Sequence, residues 1–218
     1  MQDRYIINDR MRKMTMFISV FMTVITTGIF LWNAELKVKA QIQEQLAGEV
    51  LRLHVLANSD SEKDQALKLK VRDEILLYMK ENMPDTEYVE EVTDWVRKNS
   101  RKLEEIGAEV ISKEGYHYPV SAALTTCWFP EKSYGDVTFP QGNYKALRIE
   151  IGEAKGENWW CVLYPELCFM NAVHAVVPEE GKKQLKNVLT EDEYACVTIG
   201  SEFQLALYFT ENLLTFWE

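Results

Sequence analysis

Catalytic signatures are what this 218-residue sequence has least of. It carries no GxSxG elbow, HExxH helix, P-loop or DTG pair, and only three histidines, His54, His117 and His174. A thiol or hydroxyl nucleophile needs a base held beside it, so scarce histidine leaves few arrangements open. Cys161 with His54 or His174 is one such arrangement, and sequence spacing does not bring them together. Carboxylates are the opposite case. With 34 Asp and Glu, a pair across a groove arises by chance and singles out no glycosidase-like site. No catalytic residue and no cofactor is assigned. CxxC spacing is also missing, and no histidine lies within four residues of a cysteine, which argues against zinc.

Basic charge is outweighed, 24 Lys and Arg against 34 Asp and Glu, and where it sits matters. The chain carries −10 in total, of which residues 1–34 hold +2 and the remainder −12. An ectodomain so acidic, with no basic run, is repelled by nucleic acid and by anionic lipid. Charge of either sign is absent from Met14 to Ala34, where Met14–Trp32 reads MTMFISVFMTVITTGIFLW. At about 1.5 Å per residue these nineteen residues span roughly 28 Å, the depth of a hydrocarbon core. Arg4, Arg10, Arg12 and Lys13 precede the run and place the N-terminus on the cytoplasmic side. The expected organisation is a basic cytoplasmic segment (1–13), a transmembrane anchor or signal peptide (14–34), and one extracytoplasmic domain (41–218). Length favours an anchor, whereas Val38-Lys39-Ala40 offers a cleavage site.

No repeat, low-complexity stretch or linker interrupts the chain after residue 40. A short helix is expected over 41–47, then a strand in which Val50, Arg52, His54 and Leu56 alternate with Leu51, Leu53, Val55 and Ala57. The cluster Asn58-Ser59-Asp60-Ser61 turns the chain into a helix, with Ser59–Glu62 or Ser61–Asp64 as its capping pair. Leu67, Val71, Ile75 and Tyr78 stripe that helix, and Asn82-Met83-Pro84 ends it. A second helix is expected from Asp85 or Thr86, carrying Val92, Trp95, Leu103 and Ile106, with Gly107 as its C-terminal cap. Period-two patterns then predict strands over 118–129, 144–151 and 159–165, joined by short turns as an antiparallel meander. Helices near 179–189 and 191–195 and a strand over 203–209 close the chain. The class is α+β: a membrane segment, then one domain of antiparallel sheet and packed helices.

Two tracts rise above this background. In GENWWCVLYPELCF the strand period sends Trp159 and Trp160 to opposite faces, so one can anchor a partner while the other packs inside. Burial of both is the alternative. The corner from His54 through Asn58 and Asp60 offers hydrogen-bonding side chains, or is simply a well-capped strand-to-helix junction. His54, Asn58, Asp60, Trp159 and Trp160 are the candidate partner contacts. Cys161 and Cys168 are close enough to close a small loop around Pro165, and two buried free thiols are the other reading.

LRLHVLANSDSEKDQALKLKVRDEIL (51–76) and TFPQGNYKALRIEIGEAKGENWWCVLYPELCF (138–169) resemble the stage II sporulation protein R family of endospore-forming Firmicutes. The likeness extends over about 48–196, through YPVSAAL, FPEKSYGD and the VVPEE…LKNVLTEDEY tail; Cys127 and Cys196 lie outside its pattern. The resemblance implies a protein made in the forespore and exported into the space between the two spore membranes. There it activates a membrane-embedded aspartic protease of the mother cell, which processes the sigma E precursor, and it cuts no peptide bond itself. A cell-envelope hydrolase acting on peptidoglycan is the alternative, and a passive anchored protein the third.

Overall fold

The computed structural model describes residues 2–168, 177 and 179–199. It separates into two units, residues 1–41 and 42–218. Helix α1 (Gln2–Glu49) is continuous through the expected short helix at 41–47, because no proline or glycine pair interrupts it. In the first unit its apolar side chains, among them Phe17, Phe21, Phe30 and Trp32, are exposed. The segment Met11–Glu49 is long and apolar enough to cross a membrane.

The second unit is built around strand β1 (Leu51–Leu56), every residue of which is buried. It is followed by α2 (Glu62–Asn82), α3 (Val89–Lys113), β2 (Val120–Phe129), β3 (Lys132–Tyr134), β4 (Val137–Phe139), β5 (Gly142–Ile151), β6 (Asn158–Tyr164), α4 (Glu179–Val188) and α5 (Glu191–Ile199). The α+β class is as expected, but the sheet is not a simple meander. Its order is β2-β5-β1-β6, with β1 parallel to β5 and antiparallel to β6. β5 and β6 are joined by a short turn and run antiparallel, yet β1 lies between them. A strand apolar on both faces gains most at a sheet's centre, and LRLHVL is such a strand once Arg52 and His54 find partners. β3 and β4 pair in a separate two-stranded ribbon.

One face of the sheet, with Leu51, Leu53, Val55, Leu147, Ile149 and Leu163, packs beneath α2 and α3. Ser61 caps α2 by accepting a hydrogen bond from the Asp64 amide, so of the two possible capping pairs this one forms. α3 begins at Val89, three or four residues later than the pattern suggested, and runs six residues beyond Gly107. Gly107 is no cap. It is buried within the helix, and a Cβ there would lie 2.9 Å from Val120 Cγ1 and 3.4 Å from Val71 Cγ1. The glycine lets α3 approach β2 closely. Gly107→Leu is expected to cost about 1–3 kcal/mol by overpacking, read as a lower urea midpoint. An unchanged midpoint would show that α3 is not seated there.

Among the described residues the opposite face is covered in part. Phe129, Val137, Phe139, Tyr144, Ala146 and Val162 form a core there with Leu46, Val50, Leu185, Leu189 and Val197. Elsewhere on this face Ser121 and Ala123 are exposed and Thr125, Arg148, Glu150 and Trp160 are half-buried. The strand expected at 203–209 lies outside the described residues, as does His174.

Candidate functional site

The polar corner after β1 grips the turn that joins β5 to β6. Asn58 Oδ1 accepts from the Glu153 amide at 2.9 Å, and Asp60 Oδ1 from the Glu157 amide at 2.7 Å. The Asn58 and Ala57 carbonyls take the amides of Lys155 and Gly156. Gly152 has φ +59°, and a side chain there or at Gly156 would collide with Asn58 or with the Ser59 carbonyl. Bridging across β1 requires about two strand spacings, near 10 Å, and these bonds hold the turn in that stretched position.

Asp64, one helical turn below, organises the corner. Its Oδ2 accepts from Ser59 Oγ at 2.5 Å and from Asn58 Nδ2 at 2.9 Å, and the residue is buried. The Ser59 hydrogen bond, and to a smaller extent those of Asn58, Tyr118 and Ser61, hold its carboxyl below the usual range despite burial. Lys68, also buried, donates to Gln65 Oε1 and to the Glu157 carbonyl, and Gln65 donates to the Ser59 carbonyl. The half-buried Asn58 therefore has its side chain committed inward, while Asp60 is exposed.

The two tryptophans diverge as the strand period requires. Trp159 lies on the helix side with the Arg72 guanidinium 4.0 Å from its ring centre. Trp160 lies on the partly covered face and stacks on His54 at 3.8 Å. Both are half-buried. His54 is only 4% exposed, and burial lowers its pKa. Its Nε2 meets Asn158 Oδ1 at 2.6 Å and its Nδ1 faces Cys127 Sγ at 3.8 Å. Of the five candidate contacts, His54 and Trp160 form one group, Asn58 and Asp60 a second, and Trp159 stands apart beneath α2.

Below His54 on the same face is Arg52, fully buried. Its Nε donates to the Cys161 carbonyl at 2.9 Å and its Nη2 to Tyr134 Oη at 3.1 Å. Its guanidinium carbon lies 4.4–6.0 Å from the ring centres of Phe129, Tyr144, Phe139 and Tyr134. No carboxylate pairs with it among the described residues, and Nη1 has no partner.

Cys161 and Cys168 are joined as a disulfide with Cα atoms 5.7 Å apart, tying the middle of β6 to the segment that follows it. Cys161 thus belongs to the helix-side core and is not placed beside His54; the thiol there is Cys127. Closing so short a loop stabilises by about 2.5 kcal/mol on chain-entropy grounds. Cys168→Ser is expected to lose that amount in oxidising buffer, and the two proteins should converge when reductant is added. Equal urea midpoints in oxidising buffer would contradict the linkage. Among the described residues no group of three or more His, Cys, Asp or Glu side chains could hold a metal ion.

Sequence reasoning missed the Arg52 cage and the neighbours of His54. Cys127 and Asn158 are 73 and 104 residues from His54. Only the strand register joins them, although an asparagine opening the Trp-Trp strand was visible.

The site lies inside a stretch shared with known proteins. The family model for stage II sporulation protein R matches residues 47–174. The stage II sporulation protein R of Bacillus subtilis (strain 168) is 31% identical over 194 residues, covering 87% of this chain and 87% of that protein. No solved structure matches.

Proposed function

Because the chain belongs to the stage II sporulation protein R family, we propose that it is an exported sporulation signal, made in the forespore. It activates the mother-cell membrane aspartic protease that processes the sigma E precursor, and does not cut that precursor itself. Family membership is the observation that carries this reading. The apolar helix supports it, since a signal made in one compartment has to cross a membrane to be read in the next. Its basic flank keeps the N-terminus in the forespore cytoplasm and sends the acidic domain into the intermembrane space.

The receptor contact falls to Trp160 with the open part of the sheet, and to Asp60 at the corner, because these aromatic and polar groups remain accessible. Asn58 serves the contact indirectly, by fixing the turn that precedes β6.

The experiment is complementation. The full chain is expressed in the forespore of a sporulating strain whose own copy of the gene is deleted, and shortening of the sigma E precursor is followed by immunoblot. Restored shortening is expected. A precursor that stays full length, with the protein demonstrably exported and folded, would overturn the proposal.

A further inference from the structure

We propose that Cys127, His54 and Asn158 form a nucleophile, a base and an orienting residue for acyl transfer through sulfur, an activity separate from the signalling role.

The sheet register assembles them from three strands. Cys127 on β2 stands opposite Tyr144 on β5, and Ala146 on β5 stands opposite Arg52 on β1. β5 thus separates β2 from β1, but the small side chain of Ala146 leaves room above it. His54 and Cys127 meet across that gap at 3.8 Å. On the other side Asn158, at the start of β6, takes the second ring nitrogen at 2.6 Å.

The direction of these bonds fixes the chemistry. An amide oxygen only accepts, so the bond to Asn158 Oδ1 puts the proton on Nε2. Nδ1 is left with its lone pair facing the thiol, which is what a general base requires. The ring is locked by stacking on Trp160 and by the edge of Phe129 at 5.9 Å. Nucleophile, base and orienting amide in this order recur in unrelated thiol hydrolases.

A thiol that merely fills the rim of a core could make the same hydrogen bond. Here, though, Cys127 is half-buried, and along its strand Thr125 is half-buried and Ala123 exposed, the side from which a carbonyl group would approach Sγ. The charged groups facing the pair are few. Burial raises the Cys127 thiol pKa, and Arg148 on β5 and Arg52 on β1 offset that only in part. Burial disfavours the His54 imidazolium most, the Asn158 hydrogen bond favours it, and Arg148 and Glu150 act on it in opposite directions, with the net shift downward. The resting pair is therefore neutral, and the proton moves during attack.

In the forward step Sγ bonds to the carbonyl carbon as the thiol proton passes to Nδ1. The C=O electron pair moves onto oxygen; Arg148, the stronger cationic influence on Cys127, is itself paired with Glu150 at 2.7 Å and supplies only partial charge there. Collapse restores the carbonyl and expels the leaving group, which takes the proton from the imidazolium. A thioester remains on Cys127, and water attacks it by the same route to release the acid. The substrate class is a small ester or thioester.

The test uses full-length protein in detergent micelles with p-nitrophenyl acetate, following the nitrophenolate burst and locating the acetyl group by peptide mass spectrometry. Acetylation is expected at Cys127 and should vanish in Cys127→Ser. It should slow by about a hundredfold in His54→Phe, the scale of general-base assistance. His54 is buried, so its loss can unfold the domain. Asn158→Ala, at an exposed position, is the second variant, expected to slow acetylation and change its pH profile while circular dichroism is unchanged. If Cys127 reacts no faster than free cysteine, or if folded Asn158→Ala matches the parent in rate and pH profile, the inference is wrong.

Discussion

Arg52→Ala is expected to destabilise the domain by about 3–5 kcal/mol, the range for emptying a large buried site and stranding its polar partners. The guanidinium fills the space between Phe129, Phe139 and Tyr144, and its Nε satisfies the Cys161 carbonyl in mid-sheet. Alanine leaves both a void and an unpaired carbonyl. Arg52→Met separates the two contributions, since it retains most of the volume and removes the charge. With no carboxylate against it among the described residues, the cation gains only aromatic and neutral hydrogen-bond partners, and burial lowers its pKa. Methionine is therefore expected to cost less than half of what alanine does. Urea unfolding followed by tryptophan fluorescence measures both. A loss below about 1 kcal/mol for alanine would show that the cage contributes nothing beyond ordinary surface packing.

The second large effect is at Asp64. Alanine there strands Ser59 Oγ and Asn58 Nδ2, and hydrogen bonds to a charged partner each contribute about 1.5–3 kcal/mol, so a loss of about 3 kcal/mol is expected. The same carboxylate links stability to pH. Its folded pKa is depressed, so the unfolded chain holds the proton more tightly. Its contribution is then complete above the unfolded value near pH 4, and fades as pH falls through the lower folded value. Asp136 adds to the same slope. Its carboxyl is held low first by the hydrogen bond from Lys182 and then by the Val177 amide. Asp64→Asn is expected to flatten the decline of the urea midpoint below about pH 4, because the group that protonates there is gone. An identical acid limb in both proteins would remove Asp64 as a source of the slope.

These two residues also mark how far the chain could be read. Local features were legible. Ser61 before Glu62 started α2, Met83-Pro84 stopped it, and alternation placed β1 and sent the two tryptophans to opposite faces. The Cys161–Cys168 loop is short enough to be seen as a possibility. Features set by register were not legible. Nothing local in LRLHVL says that it lies between β5 and β6, or that it runs parallel to one of them. Arg52 and His54 accordingly read only as the residues alternating with Leu51, Leu53 and Val55, with no partners of their own. Glycine misled at position 107, because a helix terminus and a close helix–sheet contact both favour a missing side chain; Val110 and Ile111 carry the apolar stripe past it.

The placing of β1 has a kinetic consequence. This central strand comes first in the domain, and one of its bonds waits for Cys161, 109 residues further along. Contacts so distant in sequence form slowly, because the loop must close before the pairing gives any return. A chain in which β1 emerges before the rest of the domain holds an apolar strand with two open edges until β5 and β6 arrive to flank it. During that interval it is prone to mispairing with other chains, and dependent on whatever shields unfolded chains in that space. A fragment ending before β6 would lack one of the two strands that flank β1. Folding would then be gated by completion of the sheet, so that only a chain carrying β6 reaches the native domain.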